Sequence, residues 1–150
     1  MEPIHILLVE DSEGDILLTQ EALEEAKIIT QLSVVKDGKE AIDFVTLQGR
    51  YSNATKPDLI LLDINLPKKN GHEVLQYLKG DKNLKHIPVI VLTTSSFQKD
   101  INLAYDNYVN CYITKPIEAK DFQNTVTSIE NFWMYIVKLP VKGDAINDKR

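Results

Sequence analysis

"DLILLDI" (58–64) sets four consecutive apolar residues, Leu59 to Leu62, between Asp58 and Asp63. A short apolar run with no alternation reads as a strand buried on both faces. Such strands belong to parallel sheets covered by helices on either side. Two further runs, "IHILLVE" (4–10) and "PVIVLTT" (88–94), have the same length and character. "TQLSVVK" (30–36) and "CYITK" (111–115) are shorter and less apolar.

Helical patterns fill the intervals. Ser12 is an N-cap for a helix carrying Ile16, Leu17, Ala22, Leu23 and Ala26. Ala41, Ile42, Phe44 and Val45 mark a second helix, and Val74, Leu75 and Leu78 a third, after Gly71. Ile101, Ala104 and Tyr105 mark a fourth. Phe122, Val126, Ile129, Phe132, Trp133, Ile136 and Val137 mark a long last helix that Pro140 stops. "QGRYSNATKPD" (48–58) reads as a loop. Strand then helix, repeated five times, predicts an α/β fold: a doubly wound, five-stranded parallel sheet of the flavodoxin-like kind, strand order 2-1-3-4-5, with an extended C-terminal helix. One domain is expected over 1–140, followed by a polar, flexible tail over 141–150.

Composition narrows the function. A net charge of −5 gives no basic footprint for nucleic acid. The single cysteine, Cys111, excludes an internal disulfide framework and fits a reducing, cytoplasmic setting. It reads as a small apolar residue rather than a redox thiol. No apolar run reaches membrane length, and the N-terminus lacks the pattern of a signal peptide. His5, His72 and His86 lack metal-ligand spacing and read as surface or loop residues.

The topology brings distant residues to one edge, because the strands of such a sheet end together where ligands bind. The first strand ends at Glu10 and Asp11, with Glu13 and Asp15 close behind; the third ends at Asp63, the fourth at Thr93 and the fifth at Lys115. Carboxylates crowded in a cleft repel unless a cation sits among them. Mg²⁺ suits them: it takes a few carboxylate oxygens and favours phosphate oxygens. A carboxylate can attack phosphorus to form an acyl phosphate, a reaction that rests on positioning and charge neutralisation. Asp63 is the candidate nucleophile, with Lys115 supplying charge and Thr93 a hydroxyl. Taken singly, each residue has an ordinary use: a helix-start acid, a turn residue, a strand residue, a surface ion pair. Their convergence is the signal.

"VEDS", "LLDINLPKKNG", "VIVLTTS" and "YITKP", in that order over about residues 4–130, resemble the receiver domain of two-component response regulators. The resemblance implies that Asp63 accepts a phosphoryl group from a phosphohistidine of a sensor histidine kinase. It implies that Glu10, Asp11, Asp63 and the backbone carbonyl of Asn65 hold Mg²⁺, and that Thr93 and Lys115 bind the phosphoryl oxygens. Thr93 and Tyr112 would act as the switch pair, and the Lys115–Pro116 bond would be cis. Such a protein is a signalling switch rather than an enzyme; it catalyses only its own phosphorylation and slow dephosphorylation. "SIENFWMYIVKLP" (128–140) is similar to the extended last helix of the cyanobacterial-phytochrome-associated, stand-alone subgroup. That implies as partner a sensor histidine kinase, of phytochrome type or another, or a phosphotransfer protein, and a downstream protein target. Phe132, Trp133 and Ile136 are the candidate homodimer interface, since extra apolar turns need a cover. One departure is "NYVNCY" (107–112), where receivers often carry a Gly-Ala turn.

Three other readings compete. A haloacid-dehalogenase-type phosphatase needs a second acid two residues after its nucleophile, and that position is Asn65. A flavodoxin-like flavin binder needs a phosphate-cradling loop, and "EDSEGD" (10–15) puts carboxylates there. A phosphorylation-independent interaction module would be expected to lack one of the site residues, and all are present.

Overall fold

The computed structural model describes residues 3–26 and 29–140; the tail over 141–150 lies outside them. Five parallel strands form one sheet in the order β2-β1-β3-β4-β5. They are β1 (Ile4–Val9), β2 (Thr30–Val35), β3 (Leu59–Leu62), β4 (Val89–Thr93) and β5 (Cys111–Thr114). Between and after them run α1 (Glu13–Glu24), α2 (Gly38–Val45), α3 (Gly71–Gly80), α4 (Gln98–Asp106) and α5 (Ala119–Glu130). The segment read as a loop carries one turn of 3₁₀ helix, Gly49–Tyr51.

Alternation along the strands divides the core into two. Leu7, Val9, Ile60, Leu62 and Val91 pack with Phe44 of α2, Val74 and Leu78 of α3 and Ala104 of α4. Ile6, Leu8, Leu61, Ile90 and Leu92 pack with Ile16 and Leu23 of α1 and Phe122, Val126 and Ile129 of α5. Both faces of the central strands are thus buried, which is why those strands read as unbroken apolar runs. Each such side chain taken from water stabilises the fold by roughly 1.5–3 kcal/mol before the ordering entropy is subtracted.

Local chemistry sets the helix starts. The Ser12 hydroxyl accepts from Asp15 N at 3.3 Å, as expected, and Asp37 accepts from Glu40 N at 2.8 Å. Asn70 and Glu73 form a reciprocal capping box at 3.0 and 3.2 Å, which fixes the loop leading out of β3.

Four expectations need correction. Ala26 falls beyond α1, which ends at Glu24 with Glu25 as its C-cap; Leu17 lies within the helix, on its solvent side. His5 is buried, not at the surface: its ring nitrogens lie 2.8 Å from Ser33 Oγ and 3.1 Å from Thr55 Oγ1. His72 is half-buried on α3, with Nε2 3.1 Å from Asp100 Oδ1, while His86 is exposed as read. The Lys115–Pro116 bond is trans, since no described peptide bond is cis; an X–Pro bond accepts either isomer within about 1 kcal/mol.

The chain continues past α5, but not as the same helix. Asn131–Ile136 is a π-helical segment, closed by Val137 N donating to Phe132 O at 2.9 Å. The wider winding puts one extra residue into the turn and rotates the side chains that follow. Trp133 and Met134 stay packed on the core, while Phe132 (51% exposed) and Ile136 (68%) turn outward. In the departing segment "NYVNCY", Tyr108 takes a left-handed backbone (φ 66°), which a glycine would adopt without steric cost.

Candidate functional site

Strand register explains why the site residues meet. Val9 lies abreast of Leu62, so Glu10 and Asp63 leave the sheet side by side, and Asp63 N donates to Val9 O at 3.0 Å. On the other flank Thr93 lies abreast of Thr114, and Lys115 N donates to Thr93 O at 2.6 Å. Gly71 makes the close approach possible. A Cβ there would fall 2.5 Å from Ile64 Cα and onto the Asp63 carbonyl oxygen, so only glycine lets α3 start beneath the Asp63 loop.

Both oxygens of Asp63 are engaged. Oδ1 accepts from Thr93 Oγ1 at 2.6 Å and from Asn65 N at 3.0 Å; Oδ2 accepts from Lys115 Nζ at 2.9 Å. Lys115 also donates to Glu10 Oε1 at 2.5 Å and Asp15 Oδ2 at 2.8 Å. Glu10, Asp63, Thr93 and Lys115 are all buried, whereas Asp11 and Asn65 are exposed at the rim.

The Glu10 carboxyl is pushed up to about 7: burial raises it most, the Lys115 hydrogen bond opposes this, and the neighbouring Asp63 charge raises it further. Burial pulls the Lys115 ammonium down, but its bonds to Asp15, Asp63 and Glu10 more than offset this, so its affinity for the proton is raised. Lys115 therefore stays charged at neutral pH.

Glu10, Asp11 and Asp63 each offer an oxygen, and the three oxygens lie within 4.8 Å of one another. That spacing, hard oxygen donors and one open side suit a small divalent cation that keeps waters and a phosphate oxygen in its shell.

Beside this cleft, Tyr112 is half-buried and its hydroxyl donates to Ser95 O at 2.9 Å. Ser95 Oγ in turn donates to Asp100 Oδ2 at 2.5 Å, and His72 approaches the other oxygen of that carboxylate. The loop after β4 is thereby tied to α3, α4 and β5. The sequence singled out Tyr112 but not the Ser95–Asp100–His72 chain, whose members are scattered polar residues with no shared spacing.

Known proteins of similar sequence and fold identify the family. The family model for the response regulator receiver domain matches residues 6–127. The chain belongs to the response regulator receiver domain family. Over 138 residues the receiver is 49% identical to the response regulator Rcp1 of Synechocystis sp., covering 92% of this chain and 94% of Rcp1. The phosphorylated cyanobacterial phytochrome response regulator RcpA superposes with a TM-score of 0.91 at 47% identity, covering 93% of this receiver and 100% of RcpA. The Mn²⁺-bound form of Rcp1 gives 0.90 at 48%, over 93% and 100%. The chain is a receiver-domain response regulator, and phosphorylation-based two-component signalling is the function of that family.

Of the predicted site residues, the structure gathers Glu10, Asp11, Asp63, Thr93 and Lys115 in one cleft, with Asn65 and Tyr112 at its border. Phe132, Trp133 and Ile136 lie apart, on the segment after α5. Asp15, read only as one of the crowded acids, has a contact that the reading did not assign: its carboxylate completes the shell of Lys115.

Proposed function

We propose that Asp63 accepts a phosphoryl group from a phosphohistidine of a sensor histidine kinase, and that the resulting acyl phosphate switches protein contacts. The carrying observation is that Asp63 lies between a buried hydroxyl and a buried ammonium, beside two further carboxylates. Attack by an Asp63 oxygen on phosphorus forms the P–O bond. The P–N bond breaks, and the imidazole nitrogen keeps the electron pair. Lys115 Nζ and Thr93 Oγ1, both bonded to Asp63, would donate to the phosphoryl oxygens, whose charge otherwise repels the carboxylates. Glu10, Asp11, Asp63 and the Asn65 carbonyl would hold Mg²⁺, which supplies further neutralisation on those oxygens. Slow loss of the group to water resets the switch.

Thr93 and Tyr112 are the readout pair: a hydroxyl drawn to the phosphoryl group moves the end of β4, and Tyr112 is bonded to the loop that follows. Relatives described as phytochrome response regulators support a phytochrome-type histidine kinase as the donor; the single cysteine fits a reducing, cytoplasmic setting. Homodimerisation is assigned to the face where Cys111, Ile113, Ile129, Phe132 and Trp133 line a groove of about 460 Å³ and Ile136 is exposed.

The test is intact mass after incubation with acetyl phosphate and Mg²⁺, beside an EDTA control and Asp63→Asn. The expected result is one added phosphoryl group in the wild type and none in either control. No gain in the wild type, from acetyl phosphate or from a phosphorylated kinase, would sink the reading.

A further inference from the structure

Lys115 has three N–H donors, and all three are spent on carboxylates: Glu10, Asp15 and Asp63. Two of these acceptors belong to the close trio of oxygens suited to a cation. Asp15 does not: the trio is Glu10, Asp11 and Asp63. When Glu10 and Asp63 turn to a cation and a phosphoryl group, Lys115 loses two of its three acceptors and keeps one.

We propose that Asp15 is a positioning residue for phosphoryl transfer: it holds the Lys115 ammonium in the cleft while the other two partners are engaged, leaving two N–H donors for phosphoryl oxygens. This rests on the reading of Asp63 as the acceptor. A lysine on a flexible four-carbon stem loses much rotamer freedom when fixed, and a cation nearby repels it. An acceptor outside the cation trio counters both effects. Local structure equips Asp15 for the task. It stands in the first turn of α1, its N–H capped by Ser12 and its carbonyl oxygen accepting from Thr19 Oγ1 at 2.8 Å. Its side chain is 27% exposed against 5% for that of Lys115, so water can solvate the acid but not the amine. The contact serves the lysine more than the aspartate.

A merely structural role is the competing account, since an acid in a first turn also favours the helix dipole. A double-mutant cycle separates the two. Phosphorylation by acetyl phosphate at saturating Mg²⁺ is timed by intact mass for the wild type, Asp15→Asn, Asp15→Glu, Lys115→Ala and the Asp15→Asn/Lys115→Ala pair. Asp15→Asn is expected to slow the reaction about tenfold and Asp15→Glu to recover most of it. In the Lys115→Ala background, Asp15→Asn should change the rate by less than about twofold, because the group it acts through is gone. A wild-type rate in Asp15→Asn overturns the proposal, and so does an equal loss in both backgrounds. Wild-type protein that gains no phosphoryl group brings down the acceptor reading itself. Thermal unfolding of each variant checks the fold; if Asp15→Asn does not fold, Asp15→Ser is judged by the same two comparisons.

Discussion

Thr93 Oγ1 lies 2.6 Å from Asp63 Oδ1, a side-chain bond between two buried residues 30 positions apart in sequence. It joins the ends of β3 and β4 before any phosphoryl group arrives. Thr93→Val keeps the branched shape and removes the donor. The expected loss is about 1.5–3 kcal/mol in the metal-free protein, the usual worth of a hydrogen bond to a charged group. Urea unfolding at pH 8 checks it, and a value near zero would mean that the bond contributes nothing at rest.

Acidity and the cation compete for Glu10. With its carboxyl near 7, Glu10 takes up a proton as the pH falls from 8 to 6, and the apparent Mg²⁺ affinity should drop about tenfold over that range. Titration calorimetry at several pH values measures this. Stability of the metal-free protein runs the other way. The folded carboxyl holds its proton up to about 7, whereas the free side chain releases it near 4.5. Between those values the native state binds more protons than the unfolded chain. This group's contribution to stability is therefore full below about 4.5 and lost as the pH rises through 7.

Gly71 sits too close to Ile64 and the Asp63 carbonyl for any side chain. Gly71→Ala should cost about 1–3 kcal/mol, since the obstacle is backbone rather than a movable side chain. It should also slow phosphorylation, because the shift falls on the loop carrying Asp63. Thermal unfolding and the timed mass assay read the two effects, and wild-type values in both would remove the packing argument.

The segment after α5 offers a test of self-association. Truncation after residue 130 should lower it, but also strips Trp133 and Met134 from the core. Phe132→Glu with Ile136→Glu alters only outward-facing side chains and is the cleaner variant. Sedimentation velocity should show a shift toward monomer; an unchanged distribution would withdraw the dimer face.

Much of this was readable from the chain. Strands buried on both faces announce themselves as apolar runs, and all five fall within a residue or two of the expected bounds. Once the topology is given, strand ends locate Glu10, Asp63, Thr93 and Lys115. Asp15 was visible among the crowded acids, but its contact with Lys115 was not, because acids are common in first helical turns for electrostatic reasons alone. His5 was misread because an isolated histidine carries no pattern; its burial depends on Ser33 and Thr55 arriving from other parts of the chain. The π-helical segment was illegible for another reason. Spacings of three and four residues fit an α-helix equally well, and only the bond from Val137 to Phe132 reveals the wider turn.

The bond between Lys115 and Glu10 spans 105 residues of sequence. Closing so long a loop costs conformational entropy, and the contact needs β5 paired with β4. Without β5, the acids that follow β1 and β3 would lack the ammonium that pairs them. A chain cut before β5 would carry Asp63 without that counter-charge. The charge balance of the cleft is thus a property of the complete sheet, not of the segment that holds Asp63.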